Sequence, residues 1–190
     1  MSSKERLYLF DTTLRDGAQT QGVDFSVEDK IRIAETLDEL GIDYVEGGWP
    51  GANPTDTAFF SEKRGLKSAR MTAFGMTKRA GRSADNDPGL AALFDAESDV
   101  VCLVAKTWDH QVEIALGCSL DENLEAIRDS VQAIAKHKRE PMIDCEHFFD
   151  GYKANPDYAI ACAMEALAAG ARWVVLCDTN GGTLPSEVHR

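Results

Sequence analysis

The stretch LFDTTLRDGAQ, residues 9–19, decides how the rest of the chain is read. Leu7 to Phe10 form a short apolar run that reads as a first strand, and two threonines, an Arg-Asp pair, Gly17 and Gln19 follow at once. A doubly wound nucleotide-binding sheet carries a glycine-rich fingerprint after its first strand. None stands here. A (β/α)8 barrel instead collects polar side chains where strands hand over to loops, above a packed apolar interior. Residues 11–16 suit that second arrangement.

Working outward, short apolar runs alternate with longer amphipathic segments. Ser26 to Leu40 reads as a helix with Ser26 as N-cap, Ile33, Leu37 and Leu40 facing inward, and Gly41 as the stop. Asp43 to Gly48 reads as strand two. Asn53 and Pro54 then open a helix to about Lys63. Strand three runs over Arg70–Phe74, a weaker helix over Leu90–Phe94, and strand four over Asp99–Lys106. Ser119 to Ala135 is the clearest helix, with a Ser119/Glu122 capping box and Leu120, Leu124, Ile127, Val131 and Ile134 at helical spacing. Strand five covers Pro141–Phe148, a helix runs from Asn155-Pro156 to Gly170, and Arg172–Asp178 is strand six. Pro185 to Arg190 reads as a helix just begun. The expected fold is α/β: a TIM (β/α)8 barrel, here of about six βα units.

The 190 residues suit one compact unit. No internal repeat or linker shows, and Lys78 to Pro88 is the one loosely patterned stretch. With 20 Lys+Arg against 32 Asp+Glu, the net charge of -12 opposes nucleic acid or anionic lipid as a partner. The polar lead from Met1 to Arg6 and the short run behind it fall far below a signal segment or a spanning helix, so no membrane association and a cytoplasmic location are expected. Five cysteines without a CxxC pair suit a reducing compartment and predict buried, inert thiols.

The chemistry-bearing residues gather at predicted strand ends. Arg15 can stabilise negative charge on an oxygen, and the Asp16 carboxylate suits a hard divalent cation. An isolated Arg-Asp pair in a loop is by itself an ordinary surface ion pair. In strand five, Asp144 and Glu146 share one face while Ile143 and Cys145 share the other. The charged face cannot meet an apolar helix layer without a large desolvation cost, so it is expected at the mouth of the sheet. Pairing with Arg15 or Lys106 is its plain structural alternative. Glu46 reads as a partner for Arg15. Asp178-Thr179-Asn180-Gly181-Gly182 after strand six can present backbone N–H groups and a hydroxyl to an anion. Met76 and Leu103 are candidates for a pocket wall or for plain core. The four histidines include no His-x-His, so the chain offers no complete metal site of its own.

DTTLRDGAQ, YVEGGWPGANPTD, DCEHFFDGYKANPDYA and VVLCDTNGGTLP together resemble the acyl-CoA condensing enzymes of the DRE-TIM metallolyase superfamily. That family holds the citramalate, 2-isopropylmalate and homocitrate synthases, and GGWPGANP and EHFFDGYK incline the likeness to the citramalate synthase group. The resemblance runs from about Leu7 to Arg190 and implies the N-terminal part of an acyltransferase barrel serving isoleucine or leucine biosynthesis. It implies Claisen-type condensation of acetyl-CoA with a 2-keto acid, pyruvate first, with a divalent metal (Mn, Mg or Zn).

By motif position, the resemblance implies Asp16 as the first metal ligand and Arg15 as the group that polarises the ketone. It likewise implies that Glu46 orients Arg15 and that Glu146 is the candidate base or base-positioning carboxylate. Gln19, Asp144 and Thr179 are expected at the substrate, with Thr179 on its carboxylate. The remaining two ligands, a His-x-His, and a further glycine-rich signature are expected beyond Arg190, so the 190-residue piece alone is expected to be inactive. A homodimer is expected at full length. The rival readings are a retro-aldol lyase of the same superfamily, resembling HMG-CoA lyase, and a catalytically silent half-barrel that serves as a binding module.

Overall fold

The computed structural model describes residues 6–63 and 65–189. The lead before Arg6 and the final residue, on which the first and last expectations above bear, lie outside them. Six strands form one sheet in the order β1-β2-β3-β4-β5-β6, with β1 Phe10–Asp11, β2 Tyr44–Gly48, β3 Arg70–Met76, β4 Val100–Lys106, β5 Glu140–Glu146 and β6 Trp173–Leu176. β1–β2, β2–β3 and β5–β6 pair in parallel. Strand order that follows chain order without a reversal is that of a (β/α)8 barrel, whereas a doubly wound sheet reverses at a switch point. By its internal contacts the chain divides into two compact units, one up to Phe74 with Asp95–Val100, the other Gly75–Phe94 with Val101 onward.

In the first unit, helix α1 spans Val27–Glu39. Ser26 accepts from the Asp29 N–H, and the Asp29 carboxylate accepts from the Ser26 N–H in return, the capping box that starts the helix. The inward row is not the expected one. Leu40 is 73% exposed and Ile33 and Leu37 are only half-buried, while Lys30, Ala34 and Asp38 are buried. Long-range polar partners override the apolar count. The Asp38 carboxylate accepts from the backbone N–H groups of Lys67 (2.6 Å), Ser68 (2.9 Å) and Ala69 (2.7 Å), fastening the segment that enters β3. α2, Pro54–Phe59, is shorter than predicted and opens on Asn53, whose side chain accepts from the Asp56 N–H.

Those hydrogen bonds, the Ala69 and Lys67 N–H groups foremost, hold the Asp38 carboxyl well below the usual carboxylate range. A depressed native pKa contributes stability above the unfolded value, and that contribution fades as pH falls through the native one. Asp38→Asn keeps one acceptor oxygen and is expected to cost about 1–3 kcal/mol at pH 7. In urea unfolding, its gap to the parent protein should narrow as pH drops below about 4.

The second unit holds helices α3 (Pro88–Asp95), α4 (Asp109–Gln111), α5 (Leu120–Lys136), α6 (Phe148–Ala154), α7 (Pro156–Ala169) and α8 (Pro185–Val188). α5 carries the predicted Ser119/Glu122 box, and its Ile127, Val131 and Ile134 are fully buried, although Leu120 is 37% exposed. Asn155 caps α7, and Gly170 closes it at φ 109°. The wide π turn at Val112–Leu116 and α6 were not anticipated. Strand five ends at Glu146 rather than Phe148 because His147 turns to φ 54° and Phe148 begins α6.

The loosely patterned Lys78–Pro88 is braced. The buried Lys78 ammonium donates to Glu125 (2.9 Å) and to the Arg82 carbonyl (2.9 Å) and meets Asp129 at 2.9 Å. Cys102, Cys145 and Cys162 are buried as expected, but Cys118 and Cys177 are half-buried; all five are free thiols. Burial pushes the Cys162 thiol up to about 12, far from the reactive thiolate form. No helix among the described residues is long and apolar enough to cross a membrane.

Candidate active site

The turn after β1 is built by its own side chains and carbonyls. Asp11 accepts from the Thr13 N–H (2.9 Å) and hydroxyl (3.2 Å). The Thr12 carbonyl accepts from the N–H groups of Arg15 (3.1 Å), Asp16 (2.9 Å) and Gly17 (3.1 Å), and Leu14 is driven fully into the core. That anchor presents Arg15 and Asp16 side by side. The Arg15 Nε–H donates to Glu46 Oε2 at 2.7 Å, and its guanidinium carbon lies 3.8 Å over the Phe74 ring. Nη1 stands 3.3 Å from Asp16 Oδ1.

Glu46 is wholly buried on β2, where an unpaired carboxylate would carry a heavy desolvation penalty. The guanidinium offsets that penalty and is itself held in place by the carboxylate and the ring. A fixed cation with N–H groups to spare is the arrangement that stabilises charge developing on a substrate oxygen, because nothing has to reorient as the charge appears. Arg15 and Gln19 line a cavity of about 430 Å³ together with Val23, Phe25, Trp49 and Asn53.

Two residues that the sequence reading did not single out stand behind this pair. The buried Lys30 ammonium donates to the Leu14 and Gly47 carbonyls, 2.9 Å each, and to the Asp56 carboxylate. Asp56 also accepts from the Trp49 N–H (2.8 Å) and the Asn53 amide (2.9 Å). Lys30 lies on α1 and Asp56 on α2, 26 residues apart, so no short-range pattern joins them in the sequence.

In the second unit, Lys106 at the end of β4 forms a close ion pair with Glu146 at the end of β5. This is the partner named above as the plain alternative. The Thr107 hydroxyl donates to the Glu146 carbonyl at 2.7 Å. His147 follows with its strained positive φ and donates its N–H to Thr179 Oγ1 at 2.9 Å, which ties the loop after β6 to the end of β5. Asp144 is 8% exposed and stands in register with Val175. Asp178 folds its loop by accepting from the Thr183 hydroxyl (2.8 Å) and N–H (3.1 Å), bonds that lower its pKa. Leu103 is fully buried core, and Met76 is half-buried.

Of the predicted residues, Arg15, Asp16, Gln19 and Glu46 belong to the first unit and Asp144, Glu146 and Thr179 to the second. Asp16, with its side chain 63% exposed, offers oxygen to a hard cation. Among the described residues no cluster of three metal-binding side chains includes it. One carboxylate does not close a cation site.

The sequence pattern of the HMGL-like family matches residues 6–190. The chain belongs to that family. Among its relatives, it is 52% identical over 187 residues to the (R)-citramalate synthase of Aquifex aeolicus, covering 97% of this chain and 35% of that one. Against the (R)-citramalate synthase of Geobacter sulfurreducens it is 55% identical over 182 residues, 95% of this chain and 34% of that one. The 2-isopropylmalate synthase of Listeria innocua is more distant, at 33% identity over 186 residues, 96% of this chain and 35% of that one. The chain spans about a third of the length of these curated relatives. A solved HMG-CoA lyase from Bacillus subtilis superposes with a TM-score of 0.78 at 16% identity, over 96% of this chain and 61% of that chain, and so shares the fold of this HMGL-like member.

Proposed function

We propose that this HMGL-like chain is the part of a citramalate synthase that activates the keto acid and the acetyl group, joining acetyl-CoA to pyruvate. The observation that carries the reading is Arg15, clamped between Glu46 and Phe74 on a turn fixed by Leu14. Identity of 47–55% to (R)-citramalate synthases supports it.

The balance of the reaction is simple. The acetyl methyl group gives up a proton, its carbon forms a bond to the ketone carbon, and the ketone oxygen becomes an alkoxide that takes a proton. Water then cleaves the thioester and releases CoA. Arg15 supplies the fixed positive charge at the alkoxide, and Glu46 holds it in orientation. Glu146, paired with Lys106, is assigned to the methyl proton, directly or by positioning the base. Gln19, Asp144 and Thr179 are assigned to the substrate, the Thr179 hydroxyl to its carboxylate.

A divalent cation, Mn, Mg or Zn, would take Asp16 as one oxygen donor and would polarise the ketone. Five free cysteines favour the cytoplasm as the compartment, and a homodimer is the assembly we assign to the full-length protein.

The test is thiol-reagent detection of CoA released from acetyl-CoA by the full-length protein with pyruvate. Release that depends on pyruvate supports the proposal; cleavage of a hydroxyacyl-CoA in place of condensation overturns it. Between pyruvate and 2-oxoisovalerate, which differ by methyl groups, kcat/KM is expected to favour pyruvate by about 10- to 200-fold. Steady-state kinetics on the two acids checks it.

A further inference from the structure

We propose that Lys30 is a positioning residue for the Arg15–Glu46 pair, a role that rests on the function proposed above. Its ammonium donates 2.9 Å hydrogen bonds to two carbonyls, that of Leu14, the residue before Arg15, and that of Gly47, the residue after Glu46. One buried cation therefore grips the main chain immediately beside both members of the pair. The two segments reach it from different elements, the turn after β1 and the end of β2.

Asp56 neutralises the ammonium inside the fold and, through the Trp49 N–H, holds the chain leaving β2. The space for this is made by glycine. A Cβ on Gly48, at φ 147°, would lie 2.5 Å from the Asp56 carboxyl carbon, and one on Gly47 would lie 2.5 Å from Phe59 Cε1. GGWPGANPTD is thus a frame that lets a buried Lys–Asp pair approach the backbone of the reacting arginine and its partner.

A fixed charge loses its effect when it is displaced by a fraction of its contact distance. Misplacement of about 1 Å can cost about 100-fold in rate. Releasing the two carbonyls is therefore expected to act on turnover more than on substrate affinity.

Three variants of the full-length protein separate positioning from mere stability. Asp56→Asn removes the charge partner and leaves Lys30 on its carbonyls; the thermal midpoint should fall, and kcat for CoA release should fall much less than in the double variant below. Lys30→Arg keeps the charge but moves the donors, and should lower kcat with little change in midpoint. The double variant Lys30→Met/Asp56→Asn restores charge balance and most of the midpoint, yet should lose about 10- to 100-fold in kcat, with both KM values within about threefold.

Nitrogen-15 NMR of the Arg15 Nε–H gives a readout apart from activity. Its slow solvent exchange should persist in Asp56→Asn and be lost in the double variant. If kcat simply follows the thermal midpoint, or if the double variant keeps the slowly exchanging Nε–H, Lys30 is structural and the proposal is overturned. Absence of CoA release from every form would count against the condensation reading alone, since the exchange measurement decides the role of Lys30 without it.

Discussion

Arg15→Met is expected to lower kcat/KM for CoA release by about 100- to 1000-fold and at the same time to destabilise the fold. The two effects have separate causes. Loss of activity follows from removing the fixed cation at the oxygen that becomes an alkoxide. Loss of stability follows from Glu46, which is wholly buried and loses the guanidinium 2.7 Å away. Breaking a buried pair by deleting one partner costs about 3–5 kcal/mol, because the charge left behind is still desolvated.

Arg15→Met/Glu46→Gln removes that stranded charge. It should recover most of the urea midpoint and none of the turnover. A single variant with reduced activity and parental stability would mean that the guanidinium does not compensate Glu46. A double variant with restored activity would mean that the cation is not needed at the reacting oxygen.

The Arg15–Glu46 pairing was legible in the sequence because Arg15 follows the first strand while Glu46 sits inside the apolar strand two, where a buried carboxylate demands a cation. The helix starts at Ser26, Asn53, Ser119 and Asn155 were legible for a similar reason: a cap is a contact over three residues, and its chemistry lies within one short window.

The face of α1 was misread because its burial is decided elsewhere. Lys30 turns inward to reach carbonyls 16 and 17 residues away, and Asp38 turns inward to meet N–H groups 29 to 31 residues on. Leu40 is left exposed. Apolar periodicity counts only what a helix carries, so a polar side chain with a distant partner is invisible to it. The end of β5 failed for another reason. His147 adopts φ 54°, a conformation that its residue type does not announce, and its N–H is taken by Thr179, which lies 32 residues further along the chain.

That same strained corner governs the second large effect expected. Glu146 is the last residue of β5, with its carboxylate on Lys106 and its carbonyl on Thr107, so its side chain has little freedom to move. Glu146→Gln preserves shape and removes the charge. As general acid–base groups contribute about 100- to 10,000-fold, a loss of kcat in that range is expected, with little change in the urea midpoint because the ion pair is partly solvated.

The measurement that distinguishes proton removal from simple binding is exchange of the acetyl-CoA methyl protons with deuterated water, followed by mass spectrometry in the presence of the keto acid. If Glu146 takes or directs the methyl proton, exchange and turnover fall together in Glu146→Gln, and Glu146→Asp restores part of both. If turnover falls while exchange continues at the parental rate, the carboxylate acts after carbanion formation, and the methyl proton leaves to another group.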